Sequence, residues 1–385
     1  MTQHSDPPAV GDLVAPESLV HRSSRTPEAL REPLEAWLTE VLPSGATPRI
    51  VQISGTAANG QSSETLLFTA EHDEVGNGPR VQELVARLAP FSHDVPVFPS
   101  YDLPLQAHAI RTVAQHTTVS VPSIVRVEPD SEVLGTPFFV MERIEGEVPS
   151  DIPPYTFGDD WLHDATREQQ AQVAEAMIGV LAELHQIDDA TTRFAGLRHP
   201  GPGAHDLDRR IRWCERWYEF AAGDVGRSPL LDRAFIWLNA NMPDRPSPTS
   251  LSWGDARLGN VMWRDFEPVA VLDWEMATLG PPELDLGWLV YAHRIFQDFA
   301  EVFELPGMPD FLRPDDVAST YEALTGHAPR DLDYFVTLAA VQWGIIFMRV
   351  GARQIHFGEM APPAEVDELL RNSESLESML ASRRT

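Results

Sequence analysis

The sequence predicts an α+β fold of two lobes, a small antiparallel sheet followed by a larger, mostly helical body. Three observations carry this. Apolar residues recur with a period of two in short runs between positions 49 and 144, and with a helical period over most of the chain beyond 165. A proline-rich, acidic stretch at 146–164 separates the two textures. A strand-like island at 251–273 interrupts the helical half. The 385 residues suffice for two cores, and a hydrophobic share of 43% is that of a folded globular chain. The expected divisions are 1–48, a leader and helix; 49–144, the strand lobe; and 145–385, the helical lobe.

Residues 1–26 are rich in Pro, Ser and charge without periodicity and read as a loose leader. Pro27 opens a helix, with Leu30, Leu34, Trp37, Leu38 and Val41 on one face. Strands are expected at 49–54, 64–71 and 80–87, joined by turns containing Gly and Asn. A helix at 103–116 and strands at 123–128 and 137–144 complete the small lobe. The segment 146–164 reads as a connection or lid. Beyond it, Val173, Met177, Val180, Leu181 and Leu184 mark a helix ending near His185. Further helices fit 205–222, 229–241, 283–296, 315–325, 331–357 and 363–381, and no internal repeat is present.

Composition excludes several chemistries. Acidic residues outnumber basic ones 58 to 29, a surface that disfavours nucleic acid and anionic membranes, so neither is an expected partner. The chain contains no lysine; all 29 basic residues are arginine. A Walker-A loop and Schiff-base chemistry on a lysine are therefore impossible, and any side-chain grip on phosphate must use Arg or His. The single cysteine, Cys214, rules out an internal disulfide and reads as a structural core residue. The apolar run 334–350 holds Thr337, Gln342 and Arg349, which suits a buried helix better than a membrane span. With no secretory pattern at the N-terminus, the cytoplasm is the expected compartment.

The island reads LSWGDARLGNVMWRDFEPVAVLDWE (251–275). Asp255 and Asn260 lie five apart beside Gly254 and Gly259, and Asp273 closes the apolar strand Val269-Ala270-Val271-Leu272. Phosphoryl transfer needs a carboxylate to orient an acceptor hydroxyl and oxygen ligands to hold Mg²⁺ against the phosphates. A hairpin over 261–272 would bring Asn260 near Asp273. An Asp and an Asn at this spacing also occur in ordinary turns, where they bond their own backbone. The added strand, Asp273 and Asp285 on the following helix make the pattern specific.

This stretch resembles the catalytic core of the aminoglycoside phosphotransferase family, which shares the protein-kinase-like bilobal fold. It is most similar to the branch with kinase-like domains fused to acyl-CoA dehydrogenases. The resemblance runs from about 50 to about 296 and is strongest over 251–287. It implies that Asp255 is the catalytic base, Asn260 and Asp273 the metal ligands, and Asp285 in GPPELDLGW (280–288) a buried brace for the catalytic loop. His185 would pack beneath that loop, and Glu275 would assist the metal or stand in solvent. The hinge resembles FFVMERIEG (138–146), where the backbone of Glu142 and Ile144 would meet a purine beside Met141. ATP or GTP would be the phosphate donor and Mg²⁺ the cofactor, with a small hydroxylated molecule as acceptor.

Three positions depart from the family pattern. Trp253 stands where the family's His-Gly-Asp has His, and its indole N–H is the replacement donor. Arg87 in LVARLAP (84–90) stands for the phosphate-gripping Lys of the third strand, with pairing to Glu83 as the other reading. Gln106 occupies the place of the helix Glu that would pair with it. The loop GTAANGQSS (55–63) would cover the nucleotide, with Ser62 and Ser63 capping phosphate oxygens. His293 and Arg294 are candidates for substrate contact or else core positions. Arg349 and Arg353 read as surface pairs or contacts to an anionic substrate. The expected activity is O-phosphorylation of a small hydroxylated compound, with a nucleotide- or ligand-binding pseudokinase as the alternative.

Overall fold

In the computed structural model, residues 23–42, 47–55, 62–74 and 78–381 are described. Positions 1–22 of the expected leader and 56–61 of the expected nucleotide loop lie outside them. Strands β1 (Arg49–Gly55), β2 (Glu64–Glu74), β3 (Gly78–Leu88), β4 (Ile124–Glu128) and β5 (Phe138–Glu142) form one antiparallel sheet in the order β1-β2-β3-β5-β4.

Side chains alternate across this sheet and divide it chemically. Leu66, Phe68 and Ala70 of β2, with Leu84, Ala86 and Leu88 of β3, form a core with Leu34, Trp37 and Leu38 of helix α1 (Arg31–Val41). A 3₁₀ turn, Pro27–Leu30, leads into that helix, so the start expected at Pro27 is present as a tighter turn. The intervening residues Thr65, Leu67, Val85 and Arg87 face the other way, into an interlobe cavity. Helix α2 (Leu103–His116) is capped by Asp102, whose carboxylate accepts from Leu105 N at 2.9 Å.

The second lobe is built from α3 (Arg167–His185), α4 (Asp206–Val225), α5 (Pro229–Ala240), α6 (Glu283–Val302), α7 (Pro314–Thr325), α8 (Leu332–His356) and α9 (Ser373–Ala381). Helix α8 packs on α4, α5, α6 and α9. Its most apolar stretch has a mean hydropathy of 1.5 and is 78% buried inside the protein, as the sequence led one to expect of a core helix. The island supplies β6 (Ser250–Ser252), β7 (Val261–Arg264), β8 (Glu267–Val271) and β9 (Thr278–Gly280), paired β6 with β9 and β7 with β8.

Several expectations need correction. Helix α6 runs six residues past 296, helped by the Gln297 amide donating to Glu301 one turn on, at 3.1 Å. The helix expected at 363–381 is broken into a 3₁₀ turn, Val366–Leu369, and α9. Between them Asn372 is drawn inward, its Nδ2 donating to Tyr291 Oη at 2.9 Å and Ala340 O at 2.8 Å. Arg349 is no surface residue. It is 1% exposed, donates to Pro96 O at 2.9 and 2.7 Å and pairs with Asp224, while Arg353 is likewise buried. The segment 146–164 is a fastened connection. Thr156 Oγ1 donates to Phe296 O at 2.8 Å, Tyr155 is buried against His293, and Trp161 packs on Trp263 and Phe266. Cys214 is fully buried, and burial pushes its thiol up to about 11, which makes it inert.

Candidate active site

Strand β6 delivers the chain into Trp253-Gly254-Asp255. Gly254 has φ +92°, and a Cβ there would lie 2.2 Å from Met276 O, so only glycine fits this close approach. The turn is held from below by Asp285 in the first turn of α6. Its Oδ1 accepts from Gly254 N and Ser252 Oγ, each at 2.8 Å, and its Oδ2 accepts from Trp253 N at 2.8 Å. His185 Nε2 lies 3.0 Å from the same carboxylate and its Nδ1 2.9 Å from Tyr321 Oη. Trp253 Nε1 donates to Leu272 O and Asp273 O, across to the other half of the island.

Asp255 is held by two donors. Trp288 Nε1 reaches Oδ1 at 2.8 Å and Arg257 Nε reaches the same oxygen at 3.1 Å. Burial pushes the Asp255 carboxyl above its ordinary range; Arg257 pulls it back and the charge of Asp273 adds to the rise. Arg257 in turn pairs with Asp151 of the connecting segment. Burial alone would lower its pKa, but Asp151 and Asp255 together raise it, so the guanidinium is permanently charged.

Asn260 Nδ2 donates to Asp255 O at 3.1 Å, which leaves its amide oxygen as the group available to a ligand. Leu272 N donates to Asn260 O at 2.8 Å and sets the neighbouring Asp273 beside it. Asp273 adopts a left-handed conformation, φ +56°, uncommon for a non-glycine residue and frequent at functional sites. Asn260 and Asp273 line a cavity of about 370 Å³ between the lobes. Its opposite wall carries Val85, Met141, Glu142 and Ile144. Glu142 N donates to Ser123 O at 3.0 Å, so at the cavity its carbonyl is the group it can present.

Arg87 also lines this cavity. Its Nη1 donates to Thr65 Oγ1 at 2.7 Å, directly across the β2–β3 pairing, and its Nη2 to Asp273 Oδ1 at 3.0 Å. Glu275 Oε2 lies 3.7 Å from Nη2. Glu83, the partner weighed from sequence, bonds Thr69 and Arg143 instead. Burial and the charge of Asp273 raise the Glu275 carboxyl above its ordinary range, while Arg87 and the Ser63 hydroxyl oppose them by favouring its ionised form.

Ser62 and Ser63 are not brought to the cavity wall. Ser62 Oγ lies 2.7 Å from Tyr101 Oη, and Ser63 Oγ donates to Glu275 Oε2 at 2.5 Å, so both hydroxyls are engaged by side chains of the protein. His293 and Arg294 also stand apart. The His293 ring is buried, donates from Nε2 to Met308 O and accepts from Tyr155 Oη at 2.7 Å; burial lowers its pKa to about 4. Arg294 is on the surface with Asp298 3.8 Å away.

Sequence reasoning missed Arg257, Asp151, Trp288 and Thr65. Arg257 had a readable mark, a cation two residues past Asp255 within the same loop. Asp151 had none, because it lies 106 residues away from Arg257 and meets it only through the fold.

The donor set fits a hard cation. Asn260 and Asp273 supply only oxygen, as Mg²⁺ requires, and Mg²⁺ is commonly held by one or two protein oxygens together with nucleotide phosphates. Among the described residues no group of three or more His, Cys, Asp or Glu forms a self-sufficient metal site.

Fold and site together define a two-lobed, kinase-like phosphotransferase. The family described as "Phosphotransferase enzyme family" matches residues 56–306, and the chain belongs to that family. Among curated proteins it is similar to the probable acyl-CoA dehydrogenase IBR3 of Arabidopsis thaliana, 29% identical over 66% of this chain and 30% of that protein. It is also similar to human acyl-CoA dehydrogenase family member 11, 29% identical over 43% of this chain and 20% of that protein. The matched region is thus less than a third of either relative's length. A crystal structure of a candidate aminoglycoside phosphotransferase from Ralstonia eutropha shares the fold, with a TM-score of 0.63, 21% identity and coverage of 91% and 97% of the two chains. The GDP complex of aminoglycoside 2'-phosphotransferase-IIIa shares it at a TM-score of 0.54, 15% identity and coverage of 90% and 99%.

Proposed function

We propose that this chain is a nucleotide- and Mg²⁺-dependent O-phosphotransferase acting on a small hydroxylated molecule. The observation that carries the reading is the shared cavity: Asn260 and Asp273 line it with Arg87 and the hinge residues Met141, Glu142 and Ile144, and Asp255 is bonded directly behind Asn260. In this reading the hinge takes the purine of ATP or GTP and Arg87 meets the phosphates. Asn260 and Asp273 hold Mg²⁺, which when bound neutralises charge on the transferring group. Asp255 accepts the proton of the acceptor hydroxyl as its oxygen bonds to the γ-phosphorus and the nucleoside diphosphate leaves. Arg257 and Trp288 orient Asp255 and favour its ionised form against the effect of burial. Family membership and structures of neighbours bearing nucleotides support this reading.

A cytoplasmic setting without nucleic-acid or membrane partners goes with the strongly acidic composition. Nucleotide binding without turnover is the second reading, and the Arg87–Asp273 ion pair favours it by engaging a ligand oxygen. Both are tested by a phosphate-transfer screen with ATP and GTP against a library of alcohols. The library includes hydroxyacyl compounds, because the curated relatives are named acyl-CoA dehydrogenases. Transfer that disappears in Asp255→Asn supports the first reading; Mg²⁺-dependent nucleotide binding with no transfer or hydrolysis supports the second.

A further inference from the structure

We infer that Glu275 is the positioning carboxylate of Arg87, and that it performs from the catalytic lobe a task that Gln106 on α2 cannot. The inference rests on the reading that Arg87 meets the nucleotide phosphates. A guanidinium buried to the extent of Arg87, 8% exposed, needs an anionic partner. Helix α2 lines the cavity with Gln106 and Ile110, neither of which carries a charge. The anions near Arg87 come instead from the other lobe, Asp273 at 3.0 Å and Glu275 at 3.7 Å.

The two carboxylates are not equivalent. Asp273 is placed to hold a metal, and a cation and a metal ion contend for the same oxygen atoms. If Asp273 were the sole anion for Arg87, binding a metal would strip the guanidinium of its partner. Glu275 resolves this conflict. Its side chain is 6% exposed, and the oxygen nearest Arg87, Oε2, is the one fixed by Ser63 Oγ at 2.5 Å. Ser63 immediately precedes β2, Arg87 lies on β3, and Glu275 follows Asp273 by two residues. The cluster therefore ties both edges of the phosphate site to the loop that holds the metal. Arg87 stays aimed at the phosphates while Asp273 turns to the metal.

The test is a double-mutant cycle on the full chain, with ADP titrated calorimetrically in the presence and absence of Mg²⁺. The readout is the ratio of the two affinities. Glu275→Gln is expected to reduce that ratio roughly tenfold, the size of one charge-assisted contact. In an Arg87→Met background the same change is expected to do nothing, because Asp273 no longer has a competing cation. Adding Gln106→Glu to Glu275→Gln is expected to recover most of the ratio. An effect of Glu275→Gln that persists undiminished in Arg87→Met would overturn the inference and make Glu275 a ligand in its own right. An unchanged ratio in Glu275→Gln overturns it as well. Thermal unfolding of the same variants reads the Arg87–Glu275 coupling without nucleotide: a non-additive shift is expected, and additivity overturns the pairing. Absence of any ADP binding by the wild type, with the coupling intact, would instead overturn the nucleotide reading.

Discussion

Trp253 is bonded to the far end of the island: its indole Nε1 donates to the main-chain carbonyl of Asp273 at 3.1 Å and to that of Leu272 at 2.9 Å. The turn that presents Asp255 and the strand end that presents Asp273 are thereby fixed to one another. Trp253→Phe removes the donor while keeping much of the ring. It is expected to lower stability by about 1–3 kcal/mol, the cost of leaving buried acceptors unpaired. Metal-dependent nucleotide binding is expected to fall with it. Trp253→His restores a ring N–H and is expected to recover more binding than Trp253→Phe. Equal behaviour of the two variants in urea unfolding and nucleotide titration would remove this role from Trp253.

Much of this was legible in the sequence because the relevant information is local. Val85 and Arg87 stand two apart in the strand expected at 80–87, a spacing that puts them on one face, and both line the cavity. Asn260 and Asp273 flank one hairpin, β7–β8, whose closed base brings them together, and Asp255 lies only five residues before Asn260. What could not be read was set by contacts between distant segments. Ser63 meets Glu275 across 212 residues, which turns its hydroxyl away from the role expected of it. Arg349 carries charge in an apolar helix, and only the fold reveals that Pro96 O and Asp224 bury it. The break before α9 likewise depends on Tyr291, 81 residues away, capturing Asn372.

Asp255→Asn keeps the side chain's size and can retain the bond from Trp288, so the fold should survive. Turnover is expected to fall by roughly 10²–10⁴, the usual contribution of a positioned base, with nucleotide affinity little changed. Initial-rate kinetics beside a nucleotide titration check this. Undiminished turnover would remove Asp255 from the chemistry.

Asn260→Ala and Asp273→Ala each delete an oxygen from a cation that tolerates few replacements. Both are expected to weaken nucleotide binding in the presence of Mg²⁺ much more than in its absence. Asp273→Ala should also release Arg87 from its 3.0 Å partner, so metal-free binding is expected to be the better preserved in that variant. Metal dependence equal to wild type in both variants would place the metal elsewhere.

The pH dependence of turnover follows from Asp255. Burial raises its pKa, so on acidification the carboxylate is lost earlier than for an exposed aspartate. The acid limb of the rate profile is therefore expected above the ordinary aspartate range. Arg257 lowers this pKa, so Arg257→Met should move the limb to still higher pH. A limb that stays in place in Arg257→Met would show that another group titrates.

Arg87 is the cation on which the nucleotide reading depends, because the chain has no lysine to serve instead. Its guanidinium uses one nitrogen for Thr65 at 2.7 Å and the other for Asp273 at 3.0 Å, with Glu275 beyond. Such a fork fixes direction as well as charge, and a lysine ammonium on a flexible stem cannot satisfy both contacts with the same geometry. Arg87→Ala is expected to weaken nucleotide binding about tenfold, the scale of one charge-assisted bond to phosphate. Arg87→Lys is expected to recover only a minor part of that loss. The loss should appear for ADP and ATP and be absent for the nucleoside, which has no phosphate for Arg87 to meet. Titration of all three against wild type and both variants reads the pattern directly. An equal loss for the nucleoside would mean that Arg87 shapes the cavity without touching phosphate, and full rescue by lysine would mean that charge alone suffices.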